Sequence, residues 1–244
     1  MSDPVPAALR QELYYEQTAR DYDRAHVEGD EEHDLALALL AGVALKIGAR
    51  SILDVGAGTG RAIEQLRAYL PGVRIVGIEP VAALRDIAAA KGIGPDALIS
   101  GTGEALPFED ASFDLVIETA VLHHVARPSL VVGEMLRVAR SGVMISDANK
   151  FGQGGRIARV IKCIVDRLGL WEVMVWVQTR GRMWKWSEGD GLFYSYSVFD
   201  SLPQVAGVFP RIHVMNTAGL TGTNLRRDAP QVCLIALSDR AEST

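Results

Sequence analysis

Apolar positions recur along this chain in two different periods, and the change from one to the other marks its organisation. Over residues 8–26, Leu9, Leu13, Tyr14, Ala19 and Tyr22 stand at helical spacing among polar neighbours, which predicts one or two amphipathic helices. The charged stretch Glu28 to Asp34 reads as a loop. Leu35 to Ile47 is almost continuously apolar and reads as a largely buried helix, with Gly48 placed to end it. From residue 51 the apolar runs shorten. Ser51–Val55, Arg74–Ile78, Ala97–Ile99, Asp114–Ile117 and Val143–Ser146 are each bounded by Gly, Asp or Pro. Helical patterns at Gly60–Tyr69, Ala82–Lys91 and Ser129–Ala139 separate most of them. Strands alternating with helices predict parallel pairing in a doubly wound α/β sheet.

The tail keeps the short period but loses the helices. Arg211–Asn216 and Gln231–Leu237 are strand-like and joined by a loop rich in Gly, Thr and Arg, with no helix expected between them. They predict an antiparallel pair closing the sheet edge and bring the strand count to seven. Between Phe151 and Phe199 lie all four tryptophans (Trp171, Trp176, Trp184, Trp186) together with Phe193, Tyr194 and Tyr196. This stretch reads as a helical, aromatic-rich insert. Its tryptophans either cover a pocket or fill a small core of their own.

Composition narrows the picture without redirecting it. The chain has 244 residues, 48% hydrophobic and 23% charged, which suits one large α/β domain. The longest apolar run, Leu35 to Leu45, is shorter than the ~20 residues of a bilayer crossing. The opening MSDPVPAALRQELYYEQ lacks the basic and apolar regions of a secretory leader, so a cytoplasmic location is expected. Cys163 and Cys233 sit in apolar contexts and read as buried small hydrophobes, and no metal site is indicated. A net charge of −5, with only short basic clusters at 180–185 and 226–227, argues against nucleic acid as a partner.

The chemistry begins at Ile52-Leu53-Asp54-Val55-Gly56-Ala57-Gly58-Thr59-Gly60. Alternate glycines after a strand let the backbone turn sharply and approach a ligand without Cβ obstruction. The dinucleotide fingerprint wants a further glycine or alanine where Arg61 stands. Asp54, just before the turn, suits a ligand with an ammonium and a sulfonium better than a pyrophosphate. Glu79, ending Ile75-Val76-Gly77-Ile78-Glu79-Pro80, can accept both hydroxyls of a ribose. Together these details point to S-adenosylmethionine.

Residues 51–60, 75–80, 101–125 and 128–146 resemble the ordered motifs of class I S-adenosylmethionine-dependent methyltransferases. Gly103-Glu104-Ala105-Leu106-Pro107-Phe108-Glu109-Asp110-Ala111-Ser112-Phe113-Asp114-Leu115-Val116 is similar to the small-molecule branch that includes ubiquinone/menaquinone-type enzymes. The resemblance implies a Rossmann-like fold in a single domain. Residues 1–48 would be a helical lid, 49–150 the cofactor-binding core, 151–205 the substrate cover and 206–244 the closing strands. It implies that Gly56, Ala57, Gly58, Thr59 and Gly60 line the cofactor, that Asp54 faces its amino group and that Glu79, with Pro80, meets the ribose. Thr102 and Gly103 would flank the adenine, Glu118 would lie beside the methionine arm, and Tyr22 would be the lid tyrosine. The family usually places an acidic residue where Thr102 stands, and a Lys-Pro-Gly-Gly turn where this chain has Arg140-Ser141-Gly142-Val143.

Methyl transfer from a sulfonium is an in-line displacement in which orientation provides much of the rate, helped by a general base where the nucleophile carries a proton. His123 and His124, after the fourth strand, are the candidate bases, with His124 preferred; His26, His33 and His213 read as surface or packing residues. Asp147 and Asn149 at the end of the fifth strand, with Tyr194 and Tyr196 in the insert, are the candidate substrate contacts. The expected function is methyl transfer to O, N or C of a small-molecule metabolite, giving S-adenosyl-L-homocysteine. The alternative is a non-catalytic S-adenosylmethionine-binding partner or regulator on the same fold. The expected state is a monomer or homodimer, with no membrane partner.

Overall fold

The computed structural model describes residues 6–219, 222 and 224–239. The first residues of the opening that lacks a leader pattern, 1–5, lie outside the described residues, as do parts of the loop before the last strand and of the tail. Helices α1 (Ala7–Thr18) and α2 (Tyr22–His26) are joined by a 3-10 turn. Helix α3 spans Glu31–Ile47 and so begins inside the stretch that read as a loop. The Asp30 side chain accepts from the His33 N–H, and Glu31, Glu32 and Asp34 occupy the first turn, where negative charge opposes the helix dipole. Gly48 ends α3 in the left-handed conformation, as its position predicts.

Strand β1 (Ser51–Val55) leads through the glycine turn to α4 (Arg61–Tyr69), β2 (Arg74–Glu79), α5 (Ala82–Ala90) and β3 (Leu98–Ser100). Strand β4 (Phe113–Thr119), α6 (Pro128–Val138) and β5 (Ala139–Ala148) follow. Strands β8 (Arg211–Asn216) and β9 (Gln231–Leu237) are antiparallel to each other, and β9 is antiparallel to β5, as the tail pattern predicts. The seven strands order as β3-β2-β1-β4-β5-β9-β8. Chain direction across the sheet reverses beside β1, so the crevice beyond the carboxyl ends of β1 and β4 is a topological switch point, where ligands of such sheets bind.

Local departures have local causes. Arg140–Val143 is not a turn: β5 runs through it, and a register shift between Phe113 and Leu115 of β4 absorbs one extra residue. The loop before β9 contains one helical turn, α10 (Leu225–Asp228), because the Asn224 side chain accepts from the Arg227 N–H. The insert is only partly helical. After α7 (Arg156–Arg167) and α8 (Trp171–Thr179), a hairpin of β6 (Trp184–Ser187) and β7 (Gly191–Tyr194) forms around Glu188-Gly189-Asp190. Trp176 and Trp186 are exposed, so the four tryptophans do not fill a core of their own. Helix α9 (Val198–Ala206) starts in a Ser197/Asp200 capping box and contributes Val198 and Val205 to the core that also contains Met135 of α6. Cys233 is buried and its thiol pushed up to about 12 by that burial; Cys163 is only half-buried.

Candidate active site at the carboxyl edge of the sheet

The turn after β1 is built on backbone that other residues tolerate poorly. Gly56 has φ +76°, and a Cβ there would lie 2.5 Å from Val121 Cγ2. The N–H groups of Gly56 and Ala57 donate to the Ile78 carbonyl at 2.8 and 3.0 Å, tying the turn to β2. Helix α2 lies over it: a Cβ on Gly58 would stand 3.1 Å from the Tyr22 hydroxyl, while Asp23 accepts from the Thr59 hydroxyl and pairs with Lys91. Gly60 is the left-handed first cap of α4 and has no side-chain cap.

Three carboxylates are buried around this turn. Asp54 is pushed up to about 7 by burial, and its Oδ1 has no hydrogen-bond partner among the described residues. Burial also raises Glu79 to about 7, although its oxygens accept from the Val81 N–H at 2.9 Å and the Gly58 N–H at 3.0 Å. Glu118 accepts from the Val121 N–H through Oε2, whereas its Oε1 is unpartnered among the described residues; burial and the charge of Asp147 hold it well above the carboxylate range. Unpaired buried carboxylate oxygens are costly, and a ligand bringing a positive charge or N–H donors relieves that cost. An aminoacyl sulfonium nucleoside fits this donor set: it carries an ammonium and a sulfonium, and the glycine turn gives it room. Of the remaining expected cofactor residues, Gly103 packs tightly against Val55 and Val131, Thr102 is exposed, and the Pro80 carbonyl accepts from Arg85.

Beyond β4 the backbone turns sharply at Ala120 (φ +59°) into a 3-10 turn carrying both candidate bases. Both face a cavity of about 1040 Å³, which Asp54, Thr119, Lys150, Trp171 and Tyr194 also line. The His123 Nδ1 lies 2.6 Å from Asp147 Oδ1, and its Nε2 lies 3.4 Å from Asp190 Oδ2. Burial alone would lower this imidazolium, but the charge and hydrogen bonds of Asp147 and Asp190 prevail and raise it to about 10. The His124 Nδ1 lies 2.6 Å from the Leu192 carbonyl; that oxygen has no hydrogen, so Nδ1 carries it and donates. Nε2 of His124 lies 3.0 Å from the Tyr15 hydroxyl and 3.3 Å from Asp190 Oδ1. Asp190 is half-exposed by its side chain, yet the two imidazoles overcome its desolvation and hold it far below the carboxylate range.

The structure brings only some of the expected substrate contacts to the cavity. Tyr194 is half-buried in its wall. Asp147 sits behind His123, also accepting from the Leu122 N–H at 2.8 Å. Asn149 is fully engaged elsewhere: its amide donates to the Arg226 and Ala229 carbonyls, and its oxygen accepts from Ser197 Oγ and the Phe151 N–H. Tyr196 lines the cavity with its ring, but its hydroxyl bonds Ser201 Oγ.

Five residues unforeseen from the sequence complete the site. Gln11 accepts from the Leu192 N–H at 2.6 Å and donates to the Asp190 carbonyl at 3.0 Å, which pins α1 on the hairpin. Tyr15 contacts His124. His26 and His33, expected at the surface or in packing, both line the cavity, and the buried His33 meets Ser146 Oγ at 3.0 Å. Asp190 stands between glycines at the hairpin tip. Gly189-Asp190-Gly191 between two alternating runs is a hairpin signal, but nothing local relates it to His123.

A seven-stranded sheet with this order, a glycine turn at its switch point and carboxylates at the ends of β1, β2 and β4 defines a Rossmann-like methyltransferase fold. A model of the methyltransferase domain matches residues 53–146. An uncharacterized methyltransferase of Mycobacterium tuberculosis strain H37Ra is 30% identical over 188 residues, 73% of this chain and 72% of that protein. The chain therefore belongs to the methyltransferase family. An uncharacterized methyltransferase of Mycobacterium marinum is 37% identical over 97 residues, 39% of this chain. That match spans only 37% of the relative's own length, little more than a third, as with others of the first curated relatives. The crystal structure of magnesium protoporphyrin IX methyltransferase from Synechocystis PCC 6803 with bound SAH has a similar fold. Its TM-score is 0.60 at 16% identity, covering 96% of this chain and 100% of that one. Among the described residues no helix is long and apolar enough to cross a membrane.

Proposed function

We propose that this chain is an S-adenosylmethionine-dependent methyltransferase acting on O, N or C of a small-molecule metabolite. The observation that carries this reading is the pair of buried carboxylate oxygens without a partner among the described residues, Asp54 Oδ1 and Glu118 Oε1, beside a glycine turn that opens on a cavity of about 1040 Å³. When bound, the cofactor supplies a methyl carbon activated by the sulfonium. Asp54 and Glu118 hold its ammonium arm, Gly56–Gly60 admit it closely, and Glu79 with Pro80 meets the ribose. Thr102 and Gly103 flank the adenine. Residues 1–48 act as a lid, with Tyr22 over the turn, and the 151–205 insert covers the acceptor.

At the acceptor, His124 is the proton-accepting imidazole, because its Nδ1–H is spent on the Leu192 carbonyl and its Nε2 faces the cavity. His123, protonated at neutral pH, holds Asp190 and with it the hairpin tip rather than taking a proton. Aromatic walls with the Tyr194 hydroxyl suit a part-apolar acceptor. Equilibrium titration with S-adenosylmethionine, followed by turnover to S-adenosylhomocysteine against a metabolite panel, tests this function. No binding at millimolar cofactor overturns it, and binding without turnover of any acceptor favours the regulator alternative.

A further inference from the structure

His123, His124 and Asp190 converge in a way that methyl transfer does not require. We propose that these three side chains form a binding site for one divalent transition-metal ion, such as zinc, in the wall of the cavity. Their ligand atoms all lie within 4.8 Å of one another. The two oxygens of Asp190 stand 3.4 Å from His123 Nε2 and 3.3 Å from His124 Nε2. Donors bound at the usual zinc distances in a tetrahedral arrangement lie about 3.4 Å apart, so an ion draws the three ligand atoms together from separations of up to 4.8 Å.

The surroundings of the imidazoles point the same way. Each Nδ1 is tied to an acceptor, His123 to the fully buried Asp147 carboxylate and His124 to the Leu192 carbonyl. That leaves each Nε2 directed at Asp190. Carboxylates and carbonyls behind metal-binding histidines fix ring orientation and raise ligand basicity in this way. Two imidazoles and a carboxylate, without thiolate, favour borderline transition ions over calcium or magnesium. Three protein ligands leave a position open toward the cavity, where water or an acceptor oxygen or nitrogen binds and loses its proton more readily. The Tyr15 hydroxyl, 3.0 Å from His124 Nε2, is placed to bond whatever occupies that position. Because Asp190 comes from the hairpin and the histidines from the sheet edge, the ion also fastens the insert over the cavity. In the loaded protein both imidazoles are ligands: binding of the ion releases the Nε2 proton of His123 to solvent, and the proton-accepting role of His124 passes to the hydroxide that forms from water on the ion.

The site stands independently of the cofactor assignment, and its test does not depend on turnover. The full chain, stripped with chelator, is titrated with cobalt(II) alone and followed by visible absorption, and with zinc alone by calorimetry. The expected result is one ion per chain with ligand-field bands of a nitrogen–oxygen site. Asp190→Asn, in an exposed-side hairpin loop, and His124→Ala each lower zinc affinity at least about tenfold. Asp147→Asn, a positioning change, lowers it by about 10–100-fold. His213→Ala, removing an exposed imidazole on β8, leaves affinity unchanged. Circular dichroism checks folding, and Asp190→Asn keeps the test decisive if His124→Ala does not fold. No stoichiometric uptake at millimolar cobalt, or equal uptake by Asp190→Asn, overturns the site. S-adenosylmethionine titrated into the stripped protein separates failure of the metal site from failure of the methyltransferase reading.

Discussion

Asp54 and Glu79 are acids held in the folded chain at a pKa of about 7, against ordinary values of 3.8 and 4.5. A raised carboxylate pKa means that the folded state keeps protons the unfolded chain has released. Stability from this source is fully present below the unfolded values and is lost as pH rises through the folded ones. Melting of the ligand-free protein should therefore move to lower temperature between about pH 5 and pH 8. A cationic cofactor needs both groups ionised, so its affinity moves the opposite way, and the thermal shift it induces should grow across the same window. A shift independent of pH contradicts the placement of its ammonium at Asp54. Glu79→Gln keeps an acceptor for one of the Gly58 and Val81 N–H groups, turns an NH2 toward the other and loses the charge. It should weaken S-adenosylmethionine binding by about tenfold or more, corresponding to about 1.5–3 kcal/mol for a charge-assisted hydrogen bond. Calorimetry showing unchanged affinity would refute the ribose role.

Between elements, the joint that matters is α1 on the β6–β7 hairpin. Gln11 is the one described α1 residue that is buried, and it bonds a backbone N–H 181 positions away. Gly191 makes the contact possible: at φ +72° it accepts a left-handed turn, and a Cβ there would lie 2.5 Å from Gln11 Oε1. Tyr14 adds a hydrogen bond to the Glu188 carbonyl and an edge-on contact with Trp186. Gln11→Ala leaves the buried Leu192 N–H without its acceptor, at a cost of about 1–3 kcal/mol. Limited proteolysis should then cut the α1 region faster than in the parent chain, with the sheet still protected; equal rates would mean that α1 is held by other contacts. Glu31–Asp34 illustrates why this element's surroundings were partly hidden in the sequence. Its charges look like a loop, but they belong to a capped first turn whose buried face starts at His33 and turns apolar only at Ala36 and Leu37.

Across the whole molecule, protection is unevenly distributed. β1, β4, β5 and β9 are buried at the centre of the sheet, whereas α7 buries no residue and exposes Ile157, Val160, Ile161 and Ile164. Native-state hydrogen exchange should be slowest in those four strands and fastest among helices in α7; comparable protection would mean that the insert is anchored to the core. The seven strands, the closing antiparallel pair and the glycine turn were legible in the sequence because each is a local property. Burial on one or both faces sets a period, and a turn demanding positive φ demands glycine. Asp54 and Glu79 were legible for the same reason, since strand ends at a switch point fix where their side chains stand. The partners of polar side chains were not legible. Asn149 was spent on carbonyls of the 225–229 turn, and the indole-rich stretch folded back as a hairpin that brought Asp190 to two histidines some 67 positions earlier in the chain. Hydrogen bonds and ion pairs act over a few ångströms, so only the tertiary path that returns one loop on another decides which of them form.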